Sequence, residues 1–327
     1  MDWLEGILSN LWFTIVVVLL ALGGLVYCTR WPLPGKLMAV AQATYREAIR
    51  QPLFLLLLLL SLAFMLLMVW IPYFTLGEDM KMMKGLQLDA IMVPMLLVTV
   101  FTSAISISEE IEGRTAITLL SKPLSRRQFL IGKFLGIYCS ALLLGLILAL
   151  FMGFAINYKY DYEGTWVDRP PDFPEIKAAV AAVDFLPAAG RDGVRYILLV
   201  FHELRVMLPG VMMICCQVMI LTAVAVALAT RLPLLVNLVV CSVMFIMGRL
   251  AHVLKETSEG NRLVKFVAQV FETLLPGFNY YDVGPAISSG VTVPWLDYVG
   301  RAFTHGLIYT TIALLFGLIL FEDRDVA

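Results

Sequence analysis

Residues Ser108–Lys133 read SEEIEGRTAITLLSKPLSRRQFLIGK, a polar and charged stretch wedged between two long apolar runs. Glu109, Glu110 and Glu112 come first, then Gly113, Arg114 and Thr115. Leu119 and Leu120 follow, with Pro123, Ser125 and Arg126 behind them. The chemistry these types support is recognition, not bond-making. Clustered carboxylates offer ion pairs to basic groups on a partner, or cap the positive end of a short helix. Gly113 permits a sharp change of direction, and Pro123 blocks helix continuation because it lacks a backbone donor. Ser125 with Gln128 three residues on is a capping box that opens the next helix. The expected element is helix, short transverse helix over about Glu112–Ser121, turn, helix. Such an element fits a groove on a cytoplasmic protein and passes movement to two membrane spans at once.

Three further groups invite a chemical reading. Thr99, Thr102, Ser103 and Ser106 are spaced i, i+3, i+4, i+7 and share one helix face. They either line a substrate path at a dimer axis or pack helices closely with hydrogen bonds across. Packing is preferred, and the two roles can coexist. Arg249 and Asn237 lie within one apolar run. A charge at that depth is costly and faces protein or water. Arg249 either holds an anionic headgroup or has a structural role, snorkelling outward or pairing with Glu272; the structural role is preferred. Catalytic patterns fail: His202-Glu203 begins like H-E-x-x-H, but position 206 is Val, so a zinc ligand is missing. The five cysteines (28, 139, 215, 216 and 241) have no metal spacing and read as small buried hydrophobes. No metal site and no catalytic residue is expected. There is no G-x-x-x-x-G-K-[ST], so this chain has no phosphate cradle for ATP.

The elements that must position these groups are membrane helices. The chain has 327 residues, 60% hydrophobic and 15% charged, with mean hydropathy +0.86. Soluble domains carry about 25% charged residues. The net charge of −1 gives no field for nucleic acid. Seven apolar spans are read at roughly 8–28, 53–72, 88–107, 134–157, 208–229, 234–254 and 302–321, each long enough to cross about 30 Å of hydrocarbon. The first lacks the basic start of a signal peptide and reads as an uncleaved helix. Arg and Lys concentrate in 29–52 and 108–133, which places both in the cytoplasm, the N-terminus outside and the C-terminus inside. Segments 158–207 and 255–301 then lie outside. Helices are expected near 175–185 and 191–207. The Tyr-Lys-Tyr-Asp-Tyr run at 158–162 reads as an interface anchor, or as a short ligand-binding strand. Residues 37–51 form an amphipathic helix, with Met38, Ala41, Tyr45, Ala48 and Ile49 on one face, that lies in the cytoplasmic interface and stops at Pro52. Phe271–Pro285 reads as a re-entrant or gate element, against a plain surface loop. The domain division is 1–30 (an additional N-terminal membrane helix), 31–52 (the interfacial helix) and 53–327 (the transmembrane domain). The fold class is an all-α polytopic membrane protein.

EEIEGRTAITLLSKPLSRRQFLIGKFLG resembles the motif after the second core helix of ABC-2 type permeases. AVAQATYREAIRQPLF is similar to the start of these permeases. LLPGFNYYDVGPA, a further span and then FEDRD resemble the copper-site-maturation and gliding-type branches. The resemblance implies a six-helix permease core with one additional N-terminal helix. It implies a transmembrane subunit of an exporter in the inner membrane, whose short cytoplasmic helix docks on a separate ATPase. ATP and Mg would be bound by that partner and no cofactor by this chain. The implied assembly is a permease homodimer with two ATPase copies. Two rivals stay open: a mechanotransmission subunit that drives a periplasmic partner without moving solute, and an ATP-independent secondary carrier or channel. The second predicts activity without an ATPase, and the chain lacks the inward-facing carboxylate array that ion-coupled carriers usually need.

Overall fold

The computed structural model describes residues 15–20, 23–24, 35–71, 73, 79–112, 125–163, 174–182, 185, 187–257, 277–291 and 293–322. Nine α-helices are labelled here among them: α1 (Lys36–Arg50), α2 (Pro52–Trp70), α3 (Asp79–Glu112), α4 (Arg126–Glu163), α5 (Pro174–Ala182), α6 (Ala188–Ala229), α7 (Leu234–Thr257), α8 (Gly284–Ser288) and α9 (Gly300–Glu322). A 3-10 turn at Phe278–Tyr281 precedes α8, and a π-turn at Trp295–Val299 leads into α9.

Helix α1 starts after Gly35, whose φ of 98° favours glycine. Gln51 breaks the chain into extended backbone, and Pro52 takes the first position of α2, where its missing donor is harmless. The break falls where Pro52 predicts it. The face of α1 is broader than its apolar pattern. Gln42 and Thr44 are buried beside Ala41, Tyr45 and Ala48, while Met38 is exposed. The reason is that α1 lies along α4, so protein covers that face.

Two glycines make this docking possible. Gly132 and Gly136 lie one helical turn apart on α4, and small residues at that spacing let backbones approach. A Cβ at Gly136 would sit 2.5 Å from the Ala41 carbonyl oxygen and 3.0 Å from the Tyr45 nitrogen. At Gly132 it would meet the Val40 side chain at 2.8 Å.

Helices α3 and α6 form the centre. In each, 78% of the most apolar window is buried, against 28% in α2 and 17% in α9. Leu56, Leu60, Leu67, Val239, Ile312 and Ile319 on the outer helices are exposed, as suits a surface facing hydrocarbon. Among the described residues, five helices are long and apolar enough to cross a membrane, and Leu234–Leu250 in α7 is a shorter apolar stretch.

The expected division at 207/208 is replaced by one helix. α6 runs 42 residues through Pro209. The proline frees only the Arg205 carbonyl, and packing of α6 on α3, α4 and α9 holds the helix together across it. At about 1.5 Å per residue, α4 and α6 reach about 57 and 63 Å. A bilayer with its headgroups measures about 40–45 Å, so both are longer than a straight crossing needs. Residues 158–162 are the last turns of α4, not a strand. Lys159 shows why. Its side chain is buried, and its Nζ donates to the Val69 carbonyl at 3.1 Å, at the end of α2, above the Tyr73 ring at 5.0 Å. A cation there satisfies a terminal carbonyl and the negative end of the helix. Helix α5 answers to the one expected near 175–185.

Candidate functional site

The described ends that flank residues 113–124, the last turns of α3 and the start of α4, lie at the end of the bundle that also holds α1 and the end of α9. The backbone of α3 is helical to Glu112. The side chains of Glu109, Glu110 and Glu112, and residues Gly113, Arg114, Thr115, Leu119, Leu120 and Pro123, lie outside the described residues. Where description resumes, the capping box is present. Ser125 Oγ accepts from the Gln128 amide and Gln128 Oε1 accepts from the Ser125 amide, both at 3.2 Å. Arg126 reaches across to α9, donating to the Phe321 carbonyl at 3.2 Å and lying over the Phe321 ring. Phe129 stacks on that ring. Arg231, in the α6–α7 turn, donates to the Leu320 carbonyl at 2.8 Å. Two guanidinium groups thus satisfy the last carbonyls of α9.

The hydroxyl stripe of α3 belongs to the same end. Thr99, Thr102, Ser103 and Ser106 are all buried. Thr99 and Ser103 bond back to the Leu96 and Val100 carbonyls. Thr102 donates to Gln51 Oε1 at 3.1 Å, and Ser106 to Glu47 Oε2 at 3.1 Å. Lys133, buried in α4, donates to Ser106 Oγ at 2.7 Å and lies 3.7 Å from Glu47. The stripe therefore ties α3 to α1 and α4 within one chain. Asn237 is also buried, where its amide donates to the Ala225 carbonyl and joins α7 to α6.

Charges gather again at the opposite end. Lys84 of α3 meets Glu203 of α6 at 3.0 Å, both well buried, and Tyr160 of α4 lies nearby. Arg249 pairs with Asp282 at 3.1 Å and lies over Phe245. The expected partner Glu272 lies outside the described residues. The segment from Gly277 to Ser288 is folded into the bundle. Phe278 is fully buried, and its carbonyl accepts from Gln217 Nε2 of α6 at 3.0 Å. Tyr281 is buried too, donating to the Ala302 carbonyl at 3.2 Å and meeting His305 Nδ1 at 2.7 Å. Burial, with Cys216 and Tyr309 nearby, raises its pKa, so the phenol stays protonated. Phe278, Tyr281, Val283 and Ile287 are the residues of this segment that the bundle buries, while Tyr280 stays exposed.

A cavity of about 320 Å³ lies between α3, α6, α7 and this segment. Lys81, Asp89, Gln217, Arg249, Asp282 and Ser288 supply most of its polar wall, and Leu88, Met92 and Ile214 much of its apolar wall. Asp89, Gln217 and Asp282 were not singled out from the sequence. For Asp89 a signal exists, because an acidic residue inside the long helix from Asp79 is costly unless it faces water or protein. Nothing local marks Gln217 or Asp282. Among the described residues no group of three or more His, Cys, Asp or Glu is placed to hold a metal. His202 lies beside Arg205 at 3.3 Å, and Cys139, Cys215, Cys216 and Cys241 are free thiols.

Residues 4–326 match the family model described as "ABC-2 family transporter protein". The chain belongs to the ABC-2 transporter family. No curated protein matches it. As an ABC-2 permease it is a multi-pass membrane component without a catalytic ATPase domain, and such a permease works with an ATPase subunit. The described residues, all-helical with five long apolar helices, agree with that membership.

Proposed function

We propose that this ABC-2 permease couples ATP hydrolysis on a separate ATPase to outward movement of a substrate across the inner membrane. Segment 108–133 is the docking element, and Glu109, Glu110 and Glu112 pair with basic groups on the ATPase. The arrangement is seven spans with the N-terminus outside and the C-terminus inside, as a dimer with two ATPase copies. One observation carries this reading. Helix α3 runs without a break from the cavity wall at Asp89 to Glu112, so the acidic segment directly continues a central helix. At about 1.5 Å per residue that helix is about 51 Å long. Displacement at one end is thereby felt at the other. The ties from Lys133 and Ser106 to Glu47 support joint movement of α1, α3 and α4.

The test is co-purification with the ATPase in detergent, for the wild type and for a variant combining Glu110→Ala and Glu112→Ala. The variant is expected to lose the complex or its stimulated ATP turnover. A variant that binds and stimulates as wild type sinks the coupling role of this segment.

The length of α4 and α6, greater than a straight crossing needs, favours a second reading, in which the chain moves an outer partner. Phe185, between α5 and α6, is 82% exposed, as a docking residue would be. ATP turnover stimulated by a small solute supports transport. Turnover stimulated only by an outer protein supports the second reading.

A further inference from the structure

The cavity between α3, α6, α7 and α8 has a distinctive set of unused polar groups. Arg249 and Asp282 close on one another at 3.1 Å, which leaves Arg249 Nε buried without a hydrogen-bond partner. Gln217 is 1% exposed. Its Nε2 is committed to the Phe278 carbonyl, which fixes the amide orientation. Its Oε1 is left buried and unpartnered. Asp89 lines the cavity and makes no hydrogen bond or ion pair among the described residues. Lys81 also lines it but has an interaction of its own. An unmade hydrogen bond on a buried polar atom costs about 1–3 kcal/mol. Arg249 and Gln217 both line the same cavity as the Asp89 carboxylate, so a ligand seated there that draws these two sealed atoms toward it recovers that cost.

The pattern defines that ligand. Asp89 and Gln217 Oε1 are acceptors, so one end must donate hydrogen bonds and carry positive charge. Arg249 Nε is a donor, so the other end presents an oxygen acceptor, and an anionic one makes the stronger, charge-assisted bond. At about 30 Å³ per water, 320 Å³ has room for about ten waters. That suits a small headgroup or a free metabolite and is too little for a whole lipid or a peptide of several residues. The apolar wall from Leu88, Met92 and Ile214 suits the short carbon link between the charges.

We propose that this cavity binds a compact zwitterion, with a primary ammonium facing Asp89 and Gln217 and a phosphate or carboxylate oxygen facing Arg249. The group is supplied either by a free small molecule or by a phosphatidylethanolamine headgroup. A quaternary ammonium carries no N–H, so choline analogues fit the charge but not the acceptors. Binding requires no ATPase. A failure here leaves the permease reading intact, and loss of ATPase coupling leaves this site intact.

The test uses the purified full chain in two arms. Calorimetric titration compares O-phosphoethanolamine with phosphocholine. Native mass spectrometry compares lipids retained from nanodiscs of equal parts phosphatidylethanolamine and phosphatidylcholine. The ethanolamine probe is expected to bind at least about tenfold tighter than the choline probe, the ratio expected of about 1.4 kcal/mol. Asp89→Asn is expected to weaken it by a similar factor. Binding in the first arm identifies a free molecule as sufficient. Selective retention in the second alone, lost in Asp89→Asn, identifies the lipid headgroup. Equal binding of ethanolamine and choline probes, indifference to Asp89→Asn, or no selective binding in either arm overturns the proposal. The headgroup comparison needs no variant, so it decides the matter even where Asp89→Asn fails to fold.

Discussion

Substitution of Gly136 by alanine isolates the docking of α1 on α4. The new Cβ would lie 2.5 Å from the Ala41 oxygen, 2.7 Å from Thr44 Cβ and 3.0 Å from the Tyr45 nitrogen. Two of the three are backbone atoms of α1, so no side-chain rotation relieves the clash, and α1 must move as a body. Overpacking of this kind costs about 1–3 kcal/mol. Alanine in place of glycine in a helix returns about 0.5–1 kcal/mol. The net expectation is a destabilisation of about 0–2.5 kcal/mol. Gly193→Ala on α6 is the control, because nothing lies within 4 Å of its added Cβ. Only the favourable term applies there, so it should stabilise by about 0.5–1 kcal/mol. Unfolding in mixed micelles reads both, with limited proteolysis reporting exposure of α1. The docking argument fails if Gly136→Ala is as stable as Gly193→Ala, or if α1 stays protected in a protein that is plainly less stable.

Two further substitutions test the ion pairs at the other end of the bundle. Lys84→Met strands the buried Glu203 carboxylate and should cost about 3–5 kcal/mol. The double variant with Glu203→Gln should recover most of that loss in the same unfolding assay, and a double variant as unstable as the single would refute the pairing. Lys159→Met removes the cation at the end of α2 and should cost about 1.5–3 kcal/mol, the range for a hydrogen bond to a charged group. Hydrogen exchange should then rise first at the last turn of α2, and an unchanged rate there would show that the lysine satisfies nothing essential.

The parts legible in the sequence follow short-range rules. Apolar runs announce membrane helices because an unpaired backbone cannot sit in hydrocarbon. Pro52 ends α1, and Ser125 with Gln128 opens α4, because caps and prolines act over one turn. The hydroxyls of α3 share a face by periodicity alone, and packing, the preferred of their two readings, accounts for their burial. The grouping of segments at the two ends was also legible. Glu47, Ser106 and Lys133 meet at one end, as their loops on one predicted side require.

Tertiary structure decided the rest. Pro209 reads locally as a boundary, yet packing against α3, α4 and α9 carries α6 through it. The lysine at 159 reads as part of an interface anchor or a short strand until α2 brings its terminal carbonyls within reach, 90 residues away in sequence. Arg249 finds Asp282 rather than any residue periodicity selects, because the fold brings the segment after α7 back over that helix. Gly132 and Gly136 gain meaning only when α1 lies on them. The common physical reason is that lipid is as apolar as a protein core. A hydrophobic run fixes that a helix crosses the membrane, while which face meets lipid, neighbour or cavity is settled by contacts between residues far apart in the chain.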